Sequence, residues 1–155
     1  MRRAKIVAVG KLKTPHWQAA AEHYAKRLAR TLRVEEALAR DADASLPLAE
    51  RKEQEAARLL KLLRPQDCPV CLDEYGTTRD STAFCALLGR IQDAGRVPCF
   101  IVGGAYGLGD AVFGAAEHRL SLGPMTFPHE LARVILYEQL YRAEQIRAGT
   151  GYHHD

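Results

Sequence analysis

Apolar and polar positions fall into short blocks whose period changes along the chain, and each change of period marks an element. "AKIVAV" at 4–9 is a nearly continuous apolar run, the pattern of a strand buried on both faces. "HWQAAAEHYAKRLAR" at 16–30 follows Pro15 with helical spacing of its apolar residues. A short strand is expected near 32–38. The stretch "SLPLAERKEQEAARLLKLL" at 45–63 predicts a second helix, with Ser45 as its N-cap, Pro47 in the first turn and its charges on a solvated face. Beyond it come a strand at 69–73 ("PVCLD"), a helix at 81–93 capped by Asp80 or Ser81, and a strand at 97–102 ("VPCFIV"). A short helix from Asp110, a strand near 119–122 ("RLSL") and a helix from about 128 to 147 complete the chain. Strands alternating with helices predict an α/β fold with a mainly parallel sheet flanked by helices on both faces. In such sheets ligands bind beyond the carboxyl ends of the strands.

The final helix departs from the usual single apolar stripe. Leu131, Val134, Ile135, Leu136, Leu140, Tyr141 and Ile146 are spread around most of its circumference at ~100° per residue. Burial on more than one side is therefore expected, against the sheet and against a second subunit. Arg142 follows Glu138 at the i,i+4 spacing of a helical ion pair. After Gly149 and Gly151 the chain closes with "YHHD". A frayed terminus is the default there, yet Tyr152 can stack on a base and His153 can move a proton.

Length and charge bound the class without naming a task. With 155 residues the chain fits one domain, 1–155, and we see no repeat or linker in it. The net charge of +3, from 22 basic and 19 acidic residues, does not by itself argue for nucleic-acid binding; a local patch could still do so. Basic residues precede an apolar run at the start ("MRRAKIVAVGKLK"), but the run is too short for a signal peptide. No stretch reaches the ~20 apolar residues that cross a bilayer. A cytoplasmic protein with reduced thiols is the expectation, and no membrane association. "CPVC" at 68–71 raises zinc or redox chemistry, but no second ligand pair accompanies it and "LDEYG" reads as strand end and turn. Buried strand cysteines and no metal are expected.

Three loops remain as ligand candidates: "LDEYGTTRDS" after Leu72, "FIVGGAYGLGD" at 100–110, and "SLGPMTFPHE" at 121–130. Glycine lets backbone amides and carbonyls approach a flat ligand closely. The spacing of Gly103, Gly104, Gly107 and Gly109 matches neither the dinucleotide fingerprint nor a phosphate loop. Such clusters also make ordinary turns and caps, so the corner alone is a weak signal. In the third loop Pro124 and Pro128 stiffen the entry to the last helix, either as a preorganised binding segment or as a turn with Pro128 at N1.

Taken together, "KIVAVGK", "LDEYG", "FIVGGAYGLG", "LSLGPMTFPHELARVILYEQLYRA" and the terminal "YH" resemble the bacterial ribosomal large-subunit pseudouridine N3-methyltransferases (RlmH) of the SPOUT superfamily. The likeness spans essentially the whole chain. It implies an S-adenosyl-L-methionine-dependent enzyme acting as a homodimer, with a C-terminal trefoil knot, on a pseudouridine of helix 69 in 23S rRNA of the assembled ribosome. It also implies a cofactor site at Leu72, Gly104 and the segment Leu122, Gly123, Pro124, Met125, Thr126 and Phe127. The tail is placed at the active site, across the dimer. Arg142 then has the chemistry for orienting substrate or stabilising an anion, Tyr152 for packing on the base, and His153 for proton transfer or phosphate contact. His129 is read as a helix-start residue rather than a base. Lys11, Lys13, Arg79 and Arg119 are candidates for contact with RNA. The tail departs from the family's pattern by ending in "HHD", where many relatives carry a basic residue after "YH". The alternative is a non-catalytic RNA- or ribosome-binding protein with the same fold, which would bind no cofactor.

Overall fold

The computed structural model describes residues 1–154. Five strands, β1 (Arg2–Val9), β2 (Leu32–Ala39), β3 (Asp67–Thr78), β4 (Val97–Val102) and β5 (His118–Ser121), form one sheet in the order β2-β1-β4-β3-β5. Every pairing is parallel, so each connection must cross a face. Helices α1 (Pro15–Leu28), α2 (Leu48–Leu60), α3 (Ser81–Asp93) and α4 (Asp110–Ala115) make those crossings, and α5 (His129–Ala148) follows β5.

Side chains alternate across the central strands and divide the interior into two layers. Ile6, Ala8, Val70, Phe100 and Val102 face α1, α3 and α5, where Leu28, Phe84, Leu87, Leu136 and Leu140 meet them. Val7, Val9, Cys71, Cys99 and Ile101 face α2 and α4, against Ala56, Leu59 and Val112. Full burial of each such aliphatic or aromatic side chain stabilises the fold by about 1.5–3 kcal/mol before entropy is charged. One charge sits among them: Lys5, 2% exposed, donates from Nζ to Asp67 Oδ2 at 2.8 Å and to the Leu62 carbonyl at 2.6 Å.

The alternating pattern is found as expected, with differences at element ends. Ser45 does not cap α2: its N–H and hydroxyl both go to Asp43 Oδ1, at 2.9 and 2.8 Å, and Pro47 holds the N-cap position instead of lying in the first turn. Pro128 is likewise the N-cap of α5 rather than its first residue. At α3 it is Asp80 that caps, accepting from the Ala83 N–H at 2.7 Å. The largest difference is β3, which does not end at 73 but continues to Thr78. Leu72 and Thr77 both pair with Leu120, so 73–76 bulge out of a strand that then resumes.

Candidate functional site

The second and third glycine-bearing loops follow β4 and β5, and the first is the 73–76 bulge within β3. The 73–76 bulge is pinned from below, because the Asp73 carboxylate accepts from Arg119 Nη2 at 2.7 Å and Nε at 3.1 Å. A Cβ on Gly76 would stand 2.7 Å from the Arg119 carbonyl oxygen, which makes glycine a packing requirement there. Tyr75 is left at the tip, 86% exposed.

The third loop is tied to this bulge. Ser121 Oγ donates toward the Glu74 carbonyl at 3.0 Å, and Thr126 Oγ1 donates to the Glu74 carboxylate at 2.9 Å. Gly123, at φ +136°, turns the chain where an L side chain would be strained. Leu122, Gly123 and Phe127 are half-buried, while Pro124, Met125 and Thr126 are exposed. From Thr126 the chain runs back to the β1 end of the sheet. Glu130 in the first turn of α5 accepts from the Lys13 N–H and Thr14 Oγ1, both at 2.5 Å, and from the Thr14 N–H at 3.2 Å. These donors pull the Glu130 carboxyl down to about 2, with the Thr14 hydroxyl as the largest cause. Arg133, buried, donates to the Gly10 carbonyl at 2.8 Å. His129 is the first residue of α5, beside this junction.

In the glycine corner the fold explains three of the four glycines. A Cβ on Gly103 would lie 2.7 Å from the Gly107 carbonyl carbon, one on Gly109 would lie 2.8 Å from the Lys52 carbonyl oxygen, and Gly107 has φ +83°. Gly104 is different. Its φ is not positive, and a Cβ there would meet Glu55 Oε1 at 3.4 Å and Val9 at 3.6 Å, ordinary contact distances. Leu72, inside β3, follows Cys71, which pairs with Ile101 near the end of β4, so Leu72 stands beside the strand end that leads into the corner.

The tail is folded onto α5. Gly149, at φ +68°, ends the helix in the left-handed conformation, and the Thr150 N–H closes on the Gln145 carbonyl at 3.1 Å. Tyr152 then packs edge-on against Tyr141, with ring centroids 4.9 Å apart, and its hydroxyl donates to Glu138 Oε1 at 3.1 Å. Arg142 lies over the Tyr152 ring at 4.8 Å. Its Nη2 and Nε donate to Glu138 Oε1 at 2.7 and 3.1 Å, and its Nη1 is 3.2 Å from His153 Nδ1. The helical pair expected between Glu138 and Arg142 is therefore present, and the tail has joined it. Glu138 holds the Arg142 guanidinium above its ordinary value, while burial and then Glu138 raise the Tyr152 phenol.

A cavity of about 500 Å³ links loop and tail, lined by Leu122, Phe84, Leu136, Gln139, Arg79 and His153 among others. Leu122 is thus brought to the same space as His153, whereas Leu72 and Gly104 do not line it. Of the four basic candidates, Arg119 is committed to Asp73 and Lys13 lies 3.8 Å from Asp41. Arg79 faces the cavity and Lys11 is exposed.

Cys68 and Cys71 cannot share a metal, because three residues along a strand place them in opposite layers. Burial is the main cause that pushes Cys68 up to about 11 and Cys99 up to about 12. No cluster of metal-ligating side chains occurs among the described residues. Glu74, Glu130 and Glu138 were not picked out as site residues from the sequence. Only Glu138 carried a signal, its spacing from Arg142.

A family model described as "Predicted SPOUT methyltransferase" matches residues 2–153. The chain is 57% identical over 155 residues to "Ribosomal RNA large subunit methyltransferase H" of Nitratidesulfovibrio vulgaris strain Miyazaki F, covering 99% of this chain and 100% of that one. It is 54% identical to the protein of the same name from Oleidesulfovibrio alaskensis strain G20, with the same coverage. Among solved structures, a probable methyltransferase from Bordetella pertussis Tohama I superposes with a TM-score of 0.56 at 18% identity, covering 92% of this chain and 93% of that one, which speaks to the fold.

Proposed function

Since this chain belongs to the SPOUT methyltransferases and, within them, to the ribosomal RNA large subunit methyltransferase H family, we propose that it methylates ribosomal RNA with S-adenosyl-L-methionine as donor. The finer reading is transfer to N3 of a pseudouridine in helix 69 of 23S rRNA, on the assembled ribosome, by a cytoplasmic homodimer with a knotted C-terminal part. One observation carries the catalytic reading: the convergence of Arg142, Tyr152 and His153 beside a cavity that reaches Leu122.

The bare backbone of these loops supports the donor reading. Backbone from Leu72, Gly104 and Leu122 to Phe127 would hold it, and Gly104 is the corner glycine whose missing Cβ the fold itself does not demand. Backbone without a Cβ lets a flat ligand approach closely, which supports a donor role for that glycine. The chain's course supports the knotted reading, since 122–128 leads from the edge strand β5 back to the β1 end.

S-adenosyl-L-methionine supplies a methyl group already activated by its sulfonium. The protein's tasks are alignment and charge. N3 of the base would have to give up its proton, to solvent or to a nearby base, before it could take the methyl group that the donor would supply. A cation beside the ring favours the deprotonated base, which is the role assigned to Arg142. Arg142 Nη1 and His153 Nδ1 stand at hydrogen-bonding distance, which holds the imidazole beside the guanidinium and supports a shared role in orienting the base. Tyr152 offers the aromatic face.

Calorimetric titration with S-adenosyl-L-methionine, followed by methyl transfer to ribosomes and to free rRNA, tests this reading. Donor binding and transfer favouring ribosomes are expected. A folded protein that binds no donor would instead be the non-catalytic RNA-binding alternative.

A further inference from the structure

We propose that Glu138 is a positioning residue for methyl transfer, its carboxylate aiming Arg142 and docking the tail through Tyr152. The inference rests on the reading of Arg142, Tyr152 and His153 as the reaction-bearing group. Four donors converge on this carboxylate: Arg142 Nη2 and Nε and the Tyr152 hydroxyl on Oε1, and Gln139 Nε2 on Oε2 at 2.9 Å. An ordinary exposed helical ion pair stabilises by only a few tenths of a kcal/mol and fixes little. Here the Glu138 side chain is 18% exposed and that of Arg142 25%, and each end of the pair has further partners.

The geometry divides the guanidinium. Glu138 takes the Nε and Nη2 edge, which leaves Nη1 directed at His153. The same oxygen receives the Tyr152 hydroxyl, so the phenol and the guanidinium cannot be placed independently. Gln139 extends the network, because its Oε1 accepts from Ser81 Oγ at 2.7 Å at the start of α3. Ser81 and Gln139 both line the cavity, so the carboxylate sits between the cavity wall and the tail. Packing of α5 does not depend on it: Tyr137, Leu140 and Ala143 are buried alongside and anchor the helix.

The test compares Glu138→Ala and Glu138→Gln with the parent enzyme and with Arg142→Ala, measuring kcat and KM on ribosomes, donor affinity by calorimetry, and Tm. Misplacing a catalytic cation by about 1 Å is expected to lower kcat about 100-fold in Glu138→Ala. Donor affinity should stay within about twofold, since Glu138 touches none of the residues assigned to the donor. Glu138→Gln keeps the shape and one acceptor oxygen, so a smaller loss of about tenfold is expected. If Glu138→Ala fails to fold, that tenfold loss in Glu138→Gln decides alone, and an unchanged kcat there refutes the proposal. A Glu138→Ala enzyme within threefold of the parent kcat, beside an inactive Arg142→Ala, overturns the role of Glu138 and leaves the site reading standing. Full activity in Arg142→Ala would overturn both.

Discussion

Arg142 Nη1 lies 3.2 Å from His153 Nδ1, so the last helix and the tail beyond it meet at a guanidinium and an imidazole. Nothing in the helix itself requires that meeting. Removing Tyr152 to Asp155 by a stop after Gly151 leaves α5 and the three loops intact. A kcat loss of about 10²–10³-fold is expected with donor affinity unchanged, because charge stabilisation and orientation are lost and the donor pocket is not. Steady-state methylation of ribosomes beside a donor titration measures both.

Gly104→Ala and Gly103→Ala should separate binding from folding. At Gly104 the added methyl meets only ordinary contacts, so stability should change by less than about 1 kcal/mol while donor affinity falls at least tenfold. At Gly103 the methyl would stand 2.7 Å from the Gly107 carbonyl carbon, and a loss of about 1–3 kcal/mol is expected. Urea unfolding and calorimetry on both variants give the comparison.

Acid should weaken the α1–α5 junction in a defined window. The Glu130 carboxyl is held down at about 2 against an ordinary value of 4.5, so its stabilisation is complete above the ordinary value and is lost as pH falls toward about 2. The Tm difference between the parent and Glu130→Gln should therefore be largest near neutral pH and shrink across that window. A difference that stays constant down to pH 2 would contradict the assignment.

The thiols of Cys68, Cys71 and Cys99 should be inert in the folded protein. Burial raises all three, and only the thiolate reacts. Iodoacetamide at pH 8 is expected to modify them after denaturation and not before, as followed by mass spectrometry. Stoichiometric zinc retained after dialysis would contradict the separation of Cys68 and Cys71 into opposite layers.

The alternation of elements was legible because burial in a parallel sheet writes itself into the chain as apolar runs such as "VPCFIV". Contacts made at long range were not. Lys5 sits inside "AKIVAV" and is tolerated only because Asp67, 62 residues away, is brought beside it by the fold. The β3 bulge escaped because "LDEYG" has turn composition and the sequence cannot reveal that Thr77 resumes pairing with Leu120. Ser45 looked like a cap, but Asp43 two residues before it competes for the same hydroxyl. At the site, the loops and tail were found by residue type and by resemblance. The docking of Tyr152 onto Glu138, beside Arg142, depends on how the chain turns at Gly149.

Methylation at N3 is decided by mapping the modified atom. Ribosomes lacking the modification are incubated with the protein and S-adenosyl-L-methionine, and helix 69 fragments of 23S rRNA are then analysed by mass spectrometry and nucleoside chromatography. One added methyl on a pseudouridine, at N3, is expected, and none with the Arg142→Ala protein. A methyl group on another atom or another nucleotide, or no transfer by a protein that binds the donor, would contradict it.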